Sequence, residues 1–207
     1  MQAINAYTQI FPDFDGQEIL KKIERCGRVC YKSEGRIEEG SAEKFVASLI
    51  KRGHEAVLEH ASITVKFVVD RGVSHEIVRH RIASYCQEST RYCNYSKEDF
   101  GKEITFVIPH YLGYKSEAWN TWKETMKTCE DAYFKLLDIG LLPQEARAVL
   151  PNSLKTELVM TANLREWKTF FKLRTANAAH PQMLEVTRPL LDDLKALIPV
   201  VFDDITY

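Results

Sequence analysis

Between positions 79 and 91 the chain reads RHRIASYCQESTR, and few stretches so short carry as many groups able to hold an anion. Arg79, His80 and Arg81 stand in a row, and Gln87, Glu88, Ser89, Thr90 and Arg91 add an amide, a carboxylate, two hydroxyls and a further guanidinium. A guanidinium makes paired hydrogen bonds to a phosphate or to a planar imide edge. The segment could therefore grip a nucleic acid, a metal-bound phosphate or a small phosphorylated substrate. A solvated basic loop has the same composition.

Charge separates these readings. The chain has 207 residues and a formal net charge of -1, so the basic groups are local in a balanced background. A protein that tracks a nucleic-acid backbone needs a cation for each phosphate it neutralises. Arg79, Arg81 and Arg91, with Tyr85 and Tyr92 as stacking platforms, could serve a single-stranded nucleic acid, but the charge favours a small anionic ligand. No glycine-rich nucleotide loop and no G-x-S-x-G elbow is present, so side chains must bind the phosphate. His54 and His60 lie six apart, not the four that two zinc ligands on one helical face require, and no metal site is expected. The five cysteines form no C-x-x-C pair, the segment Met1 to Asp13 is too polar for a leader, and no apolar run approaches a membrane span. A reduced, cytoplasmic protein without membrane or nucleic-acid partners is expected.

The residues around the segment must position it. Alternation in 2–10 predicts an edge strand, and apolar spacing predicts helices over 15–31 and 41–51, the second capped by Ser41 and ended by Gly53. Residues 61–69 alternate as a strand, and Asp70 caps a helix to about position 80 that carries the basic triplet at its C-terminal end. The stretch 82–96 has no clear period and reads as an ordered loop; 104–108 reads as a strand. Helices follow over 116–139 and 143–149, a strand over 154–162, and helices over 164–174 and 181–198. Asn163 with Glu166 forms a capping-box signature. The expected fold is one α+β domain spanning 1–207, a mixed or antiparallel sheet flanked by helices.

Taken singly, Arg147 in ARAVLP, Arg174 at a helix end and Asn163 as a cap all have bland structural readings. Together they acquire another. RHR followed by Ser89 resembles the signature of the flavin-dependent thymidylate synthases. GHEAVLEH (53–60), SHEIVRHRIASYCQESTRY (74–92), ARAVLP (146–151) and TANLREWKTFFKLR (161–174) resemble that family's segments in the family's order.

The resemblance implies an enzyme that makes dTMP from dUMP, with methylenetetrahydrofolate giving the carbon, NADPH the reducing equivalents and FAD the relay. It also implies the family's α+β unit in a homotetramer with sites shared between subunits. By the same resemblance Arg79, His80, Arg81, Gln87, Asn163, Arg165 and Thr169 touch FAD. Glu76, Ile77, Val78, Arg79, Gln87, Glu88, Ser89, Thr90, Arg91, Arg147 and Arg174 surround dUMP, and Arg174 is the catalytic group. Cys86-Gln87 stands where some members have Asn-Glu, Thr169 where some have Asn, and Ala56 replaces a hydroxyl residue. None of the five cysteines follows a proline, so the Pro-Cys nucleophile of the cysteine-dependent thymidylate synthases is absent. Ring activation then falls to charge stabilisation, with Arg174 beside the imide.

Overall fold

The computed structural model describes residues 1–98 and 101–207. Its elements are, in order, β1 (Gln2–Ile4), β2 (Tyr7–Ile10), α1 (Gly16–Cys30), α2 (Ser41–Lys51), β3 (Ser62–Asp70), α3 (Arg71–Ile77), β4 (Ala83–Gln87), β5 (Thr105–Val107), α4 (Glu117–Asp138), α5 (Pro143–Ala146), β6 (Lys155–Asn163), α6 (Leu164–Arg174) and α7 (Pro181–Leu197). This is the expected mixed α+β architecture. Four strands form a sheet in the order β2-β3-β6-β4, and β1 pairs with β5 separately. By contacts the chain falls into two compact units, one of Met1–Tyr7, Phe67–Arg79 and Cys86–Val159, the other of Thr8–Lys66, His80–Tyr85 and Met160–Tyr207.

In the first unit β1 runs parallel to β5, with Gln2 opposite Thr105 and Ile4 opposite Val107. The single strand expected over 2–10 is therefore two strands in different sheets. The chain changes partners at Asn5 and Ala6, where the alternating pattern gives no sign of the break. Asp70 caps α3 as expected, its Oδ1 accepting from the Val73 amide at 2.9 Å. That helix ends at Ile77 with Val78 as its C-cap, so the basic triplet follows the helix and is not part of it. After α4 the chain leaves through Gly140, whose φ of 99° favours a residue without a Cβ. The helix expected over 143–149 is α5 followed by one tighter 3-10 turn, Arg147–Val149. Ile104, Phe106, Tyr133 and Leu154 make the core of this unit.

In the second unit Asp15 caps α1 through its Oδ1, which accepts from Gln17 and Glu18 amides. α2 is capped by Gly40 and not by Ser41. The backbone at Gly40 is left-handed, with φ 76°, and Ser41 has moved one place into the helix, donating its hydroxyl to Glu24 at 2.8 Å. α1 and α2 approach closely at Gly27, where a Cβ would stand 2.7 Å from Phe45 Cε1. Trp167, Phe170, Phe171 and Phe202 form a fully buried aromatic cluster, and Trp167 donates its indole N–H to the Ile63 carbonyl at 3.2 Å.

Segment 83–87, expected within a loop, is β4. Its partly buried positions are Ala83, Tyr85 and Gln87 and its exposed ones Ser84 and Cys86. The period of two is real, but it is written in small and polar residues that carry little hydrophobic contrast.

Candidate active site

α6 builds the first cluster. Its N-cap is Asn163, whose Oδ1 accepts from the Glu166 amide at 2.9 Å. The reciprocal half of the expected capping box is not made, because the Glu166 carboxylate is used elsewhere. Glu166, Phe170 and Arg174 recur every four residues and share one face of the helix. His80 lies along that face. Its Nδ1 is 3.3 Å from Glu166 Oε1, its ring meets Phe170 edge-on at 4.9 Å, and its Nε2 accepts from Arg174 Nε at 3.1 Å.

The imidazole is 6% exposed and the Glu166 residue 8%. Burial, and then the Arg174 charge, bring the His80 pKa down to about 4. Burial pushes the Glu166 carboxyl up. Tyr85, on β4, donates its hydroxyl to the His80 carbonyl at 2.6 Å. Burial, then the nearby Glu166 charge, raise that phenol to about 12, so it stays a donor. From behind, Thr187 of α7 donates to the Arg174 carbonyl at 2.9 Å, and Arg188 donates to the Thr175 carbonyl at 3.2 Å. The end of α6 is thereby fixed on two sides.

The same helix offers Arg165 and Thr169 four residues apart on its exposed surface. Arg165 pairs with Glu59, and the Thr169 hydroxyl donates to the Arg165 carbonyl at 3.2 Å. Exposed ion pairs are weak, about 0–1 kcal/mol, so Arg165 can exchange Glu59 for a phosphate. A guanidinium and a hydroxyl near a helix N-terminus are the donor set a dinucleotide pyrophosphate needs, and these residues fit such a group. Arg81 is exposed as well.

A second cluster lies in the other unit. A cavity of about 400 Å³ is lined by Arg71, His75, Thr90, Arg147, Asn152 and Leu150, among others. Arg147 Nη1 donates to Thr90 Oγ1 at 3.1 Å. Nearby in sequence, Arg91 Nε donates to Gln144 at 3.1 Å and its guanidinium stands over Tyr92. Ser89 Oγ accepts from the Arg91 amide at 3.3 Å, a turn-forming contact.

Other expected site residues have structural partners. Gln87 donates to Ser74 at 3.0 Å and to Thr156 at 3.2 Å. Glu88 accepts from Lys155 at 2.9 Å and Tyr95 at 3.0 Å. Ile77 is fully buried, which leaves only its backbone for a ligand, whereas Val78 and Arg79 are exposed and Glu76 is partly so. Arg71 and His75 were not singled out from the sequence, nor were Glu166 and Phe170. For the last two a signal exists: in TANLREWKTFFKLR the four-residue spacing of Glu, Phe and Arg is readable once the segment is known to be helical. Among the described residues no group of three histidine, cysteine or acidic side chains is arranged to hold a metal. No helix among them is long and apolar enough to cross a membrane.

The fold is that of an α+β protein with arginine-rich clusters in each of its two units. Comparison with known proteins gives the particular family. The family described as thymidylate synthase complementing protein matches residues 15–200, and the chain belongs to it. It is 38% identical to a flavin-dependent thymidylate synthase of Pyrococcus furiosus over 160 residues, which are 77% of this chain and 65% of that protein. It is 34% identical to the flavin-dependent thymidylate synthase of Geobacter sulfurreducens, over 86% of this chain and 78% of that one. The chain thus spans just under two thirds of the Pyrococcus relative's length. In structure it is similar to PolB, a UMP/dUMP methylase from Streptomyces cacaoi crystallised with 5-Br dUMP. That likeness has a TM-score of 0.80 at 19% identity, over 98% of this chain and 96% of that one.

Proposed function

We propose that this chain is a flavin-dependent thymidylate synthase that converts dUMP to dTMP, with methylenetetrahydrofolate as carbon donor and NADPH as the source of reducing equivalents. The observation that carries the reading is Arg174, whose guanidinium is held by His80 and whose backbone carbonyl, at the end of α6, is held by Thr187. The activity for which the relatives are named and the dUMP analogue in the PolB crystal support the choice of reaction and substrate. The family match crosses both compact units, which supports reading 1–207 as one functional domain.

A bound flavin, once reduced by NADPH, would supply the hydride that adds at carbon 6 of the pyrimidine. Arg79, Arg81, Gln87, Asn163, Arg165 and Thr169 would hold it. Arg174 faces the imide of dUMP, where negative charge develops as the ring is reduced, and favours loss of the proton from nitrogen 3. A fixed charge in a site closed to water stabilises that transition state without reorganising. Arg147, Thr90, Ser89 and Arg91 take the nucleotide phosphate, and Glu76 to Arg79 line the base. No thiolate is required. Burial raises the thiols of Cys93 and Cys129, which makes both poor nucleophiles.

The active form is a cytoplasmic homotetramer in which one chain's loop 87–91 completes a site begun by another. Tritium release from 5-labelled dUMP, dependent on both NADPH and the folate, tests the reaction. A flavin absorption spectrum in the purified protein tests the cofactor. A colourless protein that binds single-stranded DNA, with no tritium release, would replace this reading with the nucleic-acid one.

A further inference from the structure

The most visible motif in the sequence is RHR, and its histidine is buried with both ring nitrogens engaged. An arginine side chain has donors and no acceptor. The contact from Arg174 Nε therefore requires Nε2 of His80 to be the unprotonated nitrogen. In the neutral ring the proton then sits on Nδ1, and the oxygen facing it is Glu166 Oε1, 3.3 Å away. Glu166 selects the tautomer, the tautomer presents an acceptor to Arg174, and the acceptor fixes the plane of the guanidinium fork.

We propose that Glu166 and His80 are positioning residues for Arg174, a carboxylate–imidazole–guanidinium chain that aims the charge at the substrate, and that the His80 side chain does not itself meet the flavin. This rests on the reading of Arg174 given above. Three features of the fold make the chain rigid. Glu166, Phe170 and Arg174 share one helical face, Phe170 holds the imidazole edge-on, and Tyr85 anchors the His80 backbone. A residue held through its neighbours in this way delivers a preorganised charge, whereas a long exposed arginine must be ordered at each turnover.

The test uses the holoenzyme and three substitutions. Glu166→Leu removes the acceptor and keeps the volume; kcat is expected to fall about tenfold to a hundredfold, the usual scale for losing an orienting partner, with KM for dUMP and flavin content nearly unchanged. Glu166→Gln keeps a carbonyl oxygen for Nδ1–H and should recover most of that loss. In an Arg174→Ala background, Glu166→Leu should cost nothing further, because the residue through which it acts is gone. A purely structural role for Glu166 would give additive losses. Independently of activity, nitrogen-15 spectra of labelled histidine should show the Nδ1–H tautomer for His80 in the wild type, and its loss in Glu166→Leu. Additive losses, an unchanged kcat in Glu166→Leu, or an Nε2–H tautomer in the wild type would each overturn the proposal. Full activity in Arg174→Ala would instead sink the catalytic reading of Arg174, leaving the tautomer measurement to decide the chain on its own.

Discussion

Arg147 and Thr90 lie 57 positions apart, yet the guanidinium of one donates to the hydroxyl of the other at 3.1 Å on the wall of a single cavity. Arg71 and His75 line the same space from α3. Arg147→Ala should raise KM for dUMP about tenfold to a hundredfold, since a hydrogen bond to a charged group contributes about 1.5–3 kcal/mol, while kcat changes little. Arg71→Ala should act in the same direction. An unchanged KM in both variants would remove the phosphate from this cavity.

Arg174→Ala should lower kcat by about 10²–10³, by analogy with loss of an oxyanion-hole donor. Flavin content should hold, because Arg165 and Thr169 lie elsewhere on the helix. Turnover at the wild-type rate refutes the assignment.

Ser89 is expected to act as a binding hydroxyl and not as a nucleophile. Its oxygen accepts from the Arg91 amide, which shapes the turn and does nothing to activate the hydroxyl. Ser89→Ala should weaken dUMP binding and still form dTMP. A trapped Ser89–pyrimidine adduct, with a fully inactive alanine variant, would contradict this.

His80 should remain neutral down to about pH 4. In the unfolded chain the same imidazole takes up its proton near its ordinary value of 6.5, so the unfolded state binds more protons between the two. The stability that His80 confers is therefore complete above pH 6.5 and is lost as the pH falls toward 4. At about 1.36 kcal/mol per pH unit the full loss is about 3 kcal/mol. Glu166, raised by burial, works in the opposite direction over an overlapping range, and Tyr85 stays protonated throughout. Nuclear magnetic resonance of the His80 ring reads the midpoint directly, and a value near 6.5 would show that the ring is not held as described.

Loop 87–91 and Arg174 are expected to come from different chains in a working site. Arg91→Ala and Arg174→Ala, each severely impaired alone, should regain a minority of wild-type activity when mixed, dissociated and reassembled. Native mass spectrometry verifies the hybrids. Hybrids without activity would place both residues within one chain, and a monomer in solution would remove the shared site.

Much of this was legible in the sequence where hydrophobic contrast was strong. β6 alternates along its whole length and β3 as far as Phe67, and α1, α4 and α6 carry clear apolar faces and side-chain caps. The failures have physical causes. β4 alternates in Ala, Tyr and Gln, so its period has almost no hydrophobic amplitude. β1 and β2 look like one strand because periodicity records which side faces the core and not which strand is the partner. Ser41 yielded its capping role to Gly40 because the backbone there is left-handed, a property of the fold and not of the residue's preference. Residue types suggested anion-binding chemistry in the 79–91 segment, but not that His80 would be buried. Burial depends on Phe170 and Glu166, distant in sequence and brought to the imidazole only by the fold.

Lys168, also on α6, is 1% exposed and reaches Asp204 at 2.7 Å and the Val201 carbonyl at 3.2 Å. At 100° per residue it lies about 200° around the helix from Glu166, on the opposite side from the face that grips His80. Two tethers on opposite sides fix the roll of the helix about its own axis. A rotation that moved Arg174 would have to draw the buried Lys168 ammonium away from Asp204 and from Glu55, 3.2 Å away. The aim of the arginine is thus coupled to a contact on the far side of the helix, where Asp204→Asn would loosen it without touching a single residue that meets the substrate.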